Sequence, residues 1–305
     1  MSAVLALLAQ ILHLGLMLVA APAVAAVLDW LDARWSGRAG PPILAPWRDL
    51  VRLSRKQPVM VESVSVVARL MPTVGLGATL AAAALVPSFT LGMALSPLAD
   101  VLVIVALLTI ARVAAALGAL DAGAALPGLA AENASALAVL AEPALMLAVV
   151  ALALIGGSFN LDLIVGQQRE GLLLPAAASA MALTAMLALV FAEASGADDG
   201  LDMMLSGTSL AMARMTGWLR RLVWIDLIGS LFVPIGMATA DNFPVPWLIG
   251  LAWWFVRLGA FILGLSAVQA LLGGVPRHSL ADLIGVAALL ALLATVMVLA
   301  GAGGA

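Results

Sequence analysis

Cysteine is absent from the 305-residue chain, which excludes disulfides, thiolate metal sites and any iron–sulfur cluster ligated by this protein. Charge is scarce too. Asp, Glu, Lys and Arg make up 10% of the residues against 64% hydrophobic, whereas a water-soluble domain carries about 25% charged residues. So little charge cannot cover a soluble surface, and a mean hydropathy of +1.17 points to the bilayer as solvent. Strands at lipid depth would alternate apolar and polar residues in segments of about 10. The apolar runs here are continuous, which favours helices.

A helix crosses the hydrocarbon core with about 20 apolar residues. Eight stretches qualify, near 3–28, 66–86, 97–118, 136–157, 174–193, 217–238, 247–272 and 280–302. The sequence therefore predicts an all-α integral membrane protein with eight transmembrane helices in one polytopic domain over residues 1–305. The first stretch carries small residues at Ala20, Ala21, Ala23 and Ala25, as a leader cleavage site would. It has no charged segment before it and is too long an apolar run, so it reads as a retained span. No internal repeat and no pair of matching broken helices is evident, which counts against an inverted-repeat transporter standing alone.

The few charges are unevenly placed. Between the first two spans lie Arg34, Arg38, Arg48, Arg52, Arg55, Lys56 and Arg69; Arg214, Arg220 and Arg221 precede or open span six, and Arg277 precedes span eight. The intervening loops hold only Arg169. Cytoplasmic loops are enriched in Lys and Arg, so the odd loops are expected in the cytoplasm and both termini outside.

Ionisable residues at membrane depth are costly and face a bundle interior or a water cavity. Arg112, Glu142, Glu193, Asp226, Arg257 and Asp282 are the candidates. Asp282 reads as a first-turn carboxylate suited to the helix dipole. Asp226 and Arg257 read equally as a buried structural ion pair or as a proton-transfer pair. Glu142, followed by Pro143, is either a first-turn cap or one end of an acidic group with Glu193, Asp198, Asp199 and Asp202, whose mutual repulsion would let them share a proton. A solvated acidic loop is the plainer alternative.

The segment GRAGPPILAPWRDLVRLSRK, residues 37–56, has helical spacing. Leu44, Trp47, Leu50, Val51 and Ser54 share one face, and Arg48, Arg52, Arg55 and Lys56 another. That predicts an amphipathic helix over about 43–56 lying in the membrane interface, with Pro41, Pro42 and Pro46 restricting its entry. By itself it reads as a positive-inside anchor or as a docking surface for a cytoplasmic partner.

Together these segments resemble the complex I subunit 1 family. The similarity is greatest to the membrane subunit of group 4 energy-converting NiFe hydrogenases, of the formate hydrogenlyase subunit 4 kind. Arg38, Gly40, Pro41, Leu44, Pro46, Arg48, Asp49, Leu50 and Lys56 match the family's first-loop pattern, with Ala45 in place of Gln. ARVAAALGALDAGAAL keeps Arg112, Leu120, Asp121 and Gly123. LAEPALML keeps Glu142 and Pro143. FAEASGADDGLDMM keeps Glu193, Asp198 and Asp199 in a shortened loop, and TGWLRRLVWIDL resembles the opening of span six. Asp202 aligns with the family's first Glu after that loop, whereas the next falls near Thr208. Before Glu142, a Ser-Arg pair is replaced at about Glu132 and Asn133.

The resemblance implies a non-catalytic membrane-arm subunit of an oxidoreductase complex in a bacterial inner membrane. Arg38, Arg48, Asp49, Arg52, Arg55 and Lys56 would dock the redox arm. Glu142, Glu193, Asp198, Asp199 and Asp202 would admit protons, with Arg112 and Asp121 orienting them. This chain would bind no cofactor or metal itself. The NiFe centre and iron–sulfur clusters belong on hydrophilic partner subunits, beside antiporter-like membrane subunits and lipid, with no nucleic acid involved. The alternatives are the quinone-site subunit of an NADH-quinone oxidoreductase and an anchor that has lost coupling.

Overall fold

The computed structural model describes residues 2–57, 65–121, 123–171, 177–195, 202, 204–241, 243–271 and 277–302. They form ten α-helices: α1 (Ser2–Trp35), α2 (Ala45–Ser54), α3 (Val66–Leu85), α4 (Val101–Asp121), α5 (Ala125–Gly156), α6 (Leu161–Arg169), α7 (Ala177–Ser195), α8 (Gly207–Phe232), α9 (Val245–Leu271) and α10 (Arg277–Ala302). Two-residue strands β1 (Thr90–Leu91) and β2 (Ala238–Thr239) pair in parallel. Among the described residues six helices are long and apolar enough to cross a bilayer, namely α1, α3, α4, α5, α9 and α10. The protein is a multi-pass, all-α membrane protein.

Where α5 and α10 meet, the contact is made largely of small residues. α10 buries Leu280, Ile284, Ala287, Ala291 and Ala294 at i, i+3, i+4 spacing, and packs on α5, which buries Ala144, Ala148 and Ala151. Small side chains let two backbones approach closely, and without a hydrophobic drive in lipid that dispersion contact holds helices together. Thr295 of α10 adds a hydroxyl donor to the Leu147 carbonyl of α5 at 3.3 Å. Large apolar residues such as Val256, Leu289 and Leu299 point outward, the arrangement an apolar solvent permits.

Three helix starts differ from the hydropathy reading. α5 begins at Ala125, before the apolar run near 136, because Leu126–Ser135 contains good helix formers around Glu132 and Asn133. Glu142 is therefore seventeen residues past the first residue of α5, and a first-turn cap is excluded. With 32 residues, α5 is about 48 Å long, more than the roughly 30 Å hydrocarbon core. α10 likewise begins at Arg277, which places Asp282 in its second turn and on the surface. α8 begins at Gly207, ten residues before the apolar stretch near 217.

Helix α2 lies against α1 and α8. Pro46 and Leu53 are buried and Leu50, a residue of the expected apolar face, packs against the core, whereas Leu44 and Val51 are exposed. The stripe 46, 50, 53 faces the bundle and covers its apolar surface.

At the other end, the segments after α3 and α8 fold into a cap. Ala238 N donates to Phe89 O and Ala240 N to Leu91 O, both at 2.9 Å. This small sheet rests on α9 where Gly250 has no side chain; a Cβ there would overlap the Phe89 carbonyl oxygen. Gly250→Ala is expected to lower stability by about 1–3 kcal/mol, the usual cost of overpacking, read as a lower unfolding midpoint in detergent.

Asp162, on α6 outside the apolar spans, fastens the same cap. Its Oδ2 accepts from Gly92 N at 2.7 Å and from Ser96 Oγ. Burial raises the Asp162 carboxyl above its ordinary value, against the opposing pull of the Ser96 and Gly92 hydrogen bonds. The folded state then binds this proton more tightly than the unfolded chain. Stability from this group is present below the unfolded value and is lost as pH rises through the folded one. In Asp162→Asn that decline is expected to vanish from the pH dependence of the unfolding midpoint.

Candidate functional site: a charged crevice where α1, α2 and α8 meet

α8 carries Arg214 in its second turn, α2 carries Asp49 in its middle, and Asp202 precedes α8. The fold brings the three together. Arg214 Nη1 lies 3.3 Å from Asp49 Oδ2 and its Nε lies 3.6 Å from Asp202 Oδ2. Arg52 Nη2 meets the other oxygen of Asp49 at 2.8 Å. Asp49, Asp202 and Arg214 line a crevice of about 270 Å³ with Asp29 of α1, Pro46 and Trp218. Arg221 of α8 acts electrostatically on both Asp29 and Asp32. Each pair is part-exposed, so it contributes only about 0.2–1 kcal/mol. The cluster fixes orientation more than stability.

The approach of α2 to α8 depends on one glycine. Gly207, the first residue of α8, has φ +57°, and a Cβ there would overlap the carbonyl oxygens of Lys56 and Gln57. The chain leaving α2 thus lies directly over the start of α8. Arg48, Arg55 and Lys56 are exposed on the outer side of α2, where with Trp47 and Val51 they form an open cationic groove. Arg38 is exposed in the turn after α1.

Among the described residues expected to admit protons, Asp202 is the one that lines this crevice. Asp198 and Asp199 lie outside the described residues, and Glu193 is in the last turn of α7. Glu142 is half-buried in α5 and Arg112 half-buried in α4. Asp121 has a structural task. Its Oδ2 accepts from Ser65 N at 2.9 Å and its Oδ1 from Ser65 Oγ at 2.7 Å, while Ser65 Oγ accepts from Val67 N at the start of α3. Asp121 thereby holds the N-cap of α3. Asp49, expected on the docking face, belongs to the crevice. Asp29 was missed; its signal is LDWLDAR, two carboxylates at i, i+3 closing an otherwise uncharged apolar run.

Asp226 of α8 and Arg257 of α9 form an ion pair at 2.9 Å, with side chains 1% and 5% exposed. Trp254 Nε1 also donates to Asp226 Oδ1 at 2.9 Å. Among the described residues no group of three or more His, Asp or Glu is arranged to hold a metal ion.

The described residues thus form a bundle of apolar helices with a cationic groove and a charged crevice at one end. The sequence matches the family described as NADH dehydrogenase over residues 8–301. The chain belongs to that family, the complex I subunit 1 family. It is 30% identical over 243 residues to hydrogenase-4 component C of Escherichia coli (strain K12), covering 73% of this chain and 74% of that protein. It is 33% identical over 142 residues to formate hydrogenlyase subunit 4 of the same strain, covering 47% and 46%. Its fold matches a chain in the structure of an archaeal respiratory membrane complex, the membrane-bound sulfane sulfur reductase. The TM-score is 0.75 at 19% identity, over 95% of this chain and 98% of that one.

Proposed function

We propose that this chain is the membrane-arm subunit of an energy-converting, hydrogenase-type complex. It docks the hydrophilic redox arm at the α2 end and couples electron transfer there to translocation of protons or sodium ions. The carrying observation is the crevice: Asp29, Asp49 and Asp202 gather around Arg214 beneath the cationic face of α2. A partner bound to Arg38, Arg48, Arg55 and Lys56 would lie over carboxylates whose protonation its own charge can shift. The names of the two Escherichia coli relatives support the hydrogenase branch.

In this reading α7 and α8 complete eight crossings, and α2 lies in the interface. The charge asymmetry supports an α2 end in the cytoplasm and both termini outside a bacterial inner membrane. Asp202, Asp198, Asp199, Glu193 and Glu142 form the acidic route inward, bordered by Arg112 and Asp121 of α4. The NiFe centre and iron–sulfur clusters reside on hydrophilic partners, and antiporter-like subunits adjoin in the bilayer. Purification of the tagged chain from native membranes tests the assignment. Nickel-containing hydrophilic subunits are expected to copurify; a chain that purifies alone sinks the reading. Glu142→Gln is expected to lower proton-coupled activity by roughly tenfold or more with subunit composition intact, and unchanged activity would remove Glu142 from the route.

A further inference from the structure

A second polar cluster lies in the opposite half of the bundle, about 18 Å along α8 from Arg214. Its members come from four parts of the chain. His13 of α1 is fully buried; its Nδ1 is 2.6 Å from Ser88 Oγ and its Nε2 is 2.7 Å from Ala83 O. Ser88, in the segment between α3 and β1, also presents its carbonyl to Arg257 Nη2 at 2.7 Å. The same Nη2 meets Asp226 Oδ1. Arg257 Nη1 reaches Val233 O at 3.4 Å. Gly229 makes room for this guanidinium, since a Cβ there would lie 3.0 Å from Arg257 Nε.

Two atoms in this cluster can take a proton. A carbonyl only accepts, so the Ala83 contact requires hydrogen on His13 Nε2 in every state. Nδ1 is then the variable nitrogen: it accepts from the Ser88 hydroxyl when bare and donates to it when protonated. On Asp226, Oδ1 takes both donors, from Trp254 and Arg257. Oδ2 is buried with no hydrogen-bond partner. A bare carboxylate oxygen in such surroundings is the natural place for hydrogen.

We propose that His13, Ser88, Arg257 and Asp226 form a buried site that binds one proton, seated either on Asp226 Oδ2 or on His13 Nδ1. Charge decides the number. With both seats empty, Arg257 and Asp226 cancel; one proton makes the cluster +1, and a second would make it +2 with no further carboxylate to offset it. Among the described residues His13, Asp226 and Arg257 are the titratable side chains that the fold buries almost completely. The other charges on the packed elements lie outside the cluster. Asp29, Asp32 and Arg34 of α1, Arg69 of α3 and Arg214 of α8 are toward the crevice end, and Arg220 and Arg221 precede Asp226 by six and five residues, about 9 and 7.5 Å along α8; their positive charge further opposes a second proton. At the cap, Asp162 is bonded to Gly92 and Ser96, and Asp241 is exposed. Arg257 keeps its Ser88 and Val233 carbonyls in both states, so the cation persists when Asp226 is neutral.

This assignment stands independently of the docking reading, and its test reads no activity. Infrared difference spectra of the full chain in lipid nanodiscs, recorded against pH with the spectra of the double variant His13→Gln, Asp226→Asn subtracted so that His278 and the remaining carboxylates cancel, follow protonated carboxyl and imidazolium bands. In the wild-type chain the two bands are expected to sum to one proton. His13→Gln keeps a donor for Ala83 O and is expected to move the whole signal to the carboxyl band. Asp226→Asn removes one seat and the compensating charge together, and is expected to abolish both bands. The proposal fails if no carboxyl band titrates in the His13→Gln difference, or if the wild-type difference sums to two protons.

Discussion

Arg257→Ala is expected to leave little folded protein in detergent extracts. Removing one partner of a buried ion pair costs about 3–5 kcal/mol, because the other charge remains without compensation. Folded proteins have only about 5–15 kcal/mol in total. Here the loss is wider than one pair. Arg257 also satisfies the carbonyls of Ser88 and Val233, and so ties α9 to the segments following α3 and α8. Asp226 would retain Trp254 Nε1 alone. Size-exclusion profiles and unfolding midpoints of the solubilised chain measure the effect. The double replacement Asp226→Leu with Arg257→Met is expected to recover much of the loss, since a buried pair exchanged for apolar groups of similar volume is often neutral. A single variant as stable as the parent would show that the pair contributes nothing.

Charge reversal on the outer face of α2 is expected to release the hydrophilic subunits. The triple variant Arg48→Glu, Arg55→Glu, Lys56→Glu leaves Pro46, Leu50 and Leu53 in place, and leaves Asp49 with Arg52 and Arg214. The helix itself should therefore persist. Like charges brought together at an interface cost several kcal/mol, and about 3–4 kcal/mol is a roughly 100- to 1,000-fold loss of affinity. Sedimentation of membranes would show the soluble subunits in the supernatant. In the parent complex the same release should grow with salt, since exposed charges are screened beyond about 8 Å at 0.15 M. Unchanged retention in the variant would remove α2 from the docking surface.

Much of this fold was legible because one physical fact dominates. Continuous apolar runs in a chain with 10% charge leave helices in lipid as the readable solution; a helix lies in each of the eight runs, and among the described residues six of these helices are long and apolar enough to cross. What hydropathy could not show were turns whose helicity does not depend on being apolar. Residues 125–135 and 207–216 are polar enough to look like loop, yet they extend α5 and α8. Which part of the α2 surface meets the bundle was not legible, because packing against α1 and α8 selects Pro46, Leu50 and Leu53 and leaves Val51 exposed. Asp226 and Arg257 stood out in sequence as charges inside apolar runs. His13 and Ser88 did not: a neutral imidazole and a hydroxyl near a helix end draw attention only once their partners, some 70 residues away in sequence, are placed beside them.

α8 joins both polar clusters without a break. Arg214 belongs to the crevice and Asp226 to the buried pair, on one rod of 26 residues. At 3.6 residues per turn, the angular phase between the two is set by the twelve residues separating them, and no loop or kink-forming proline intervenes. Gly207 places the start of that rod under the backbone leaving α2. One unbroken helix thus spans the depth between the crevice and the buried pair, and Arg214 and Asp226 hold a fixed angular offset of about 120° on it.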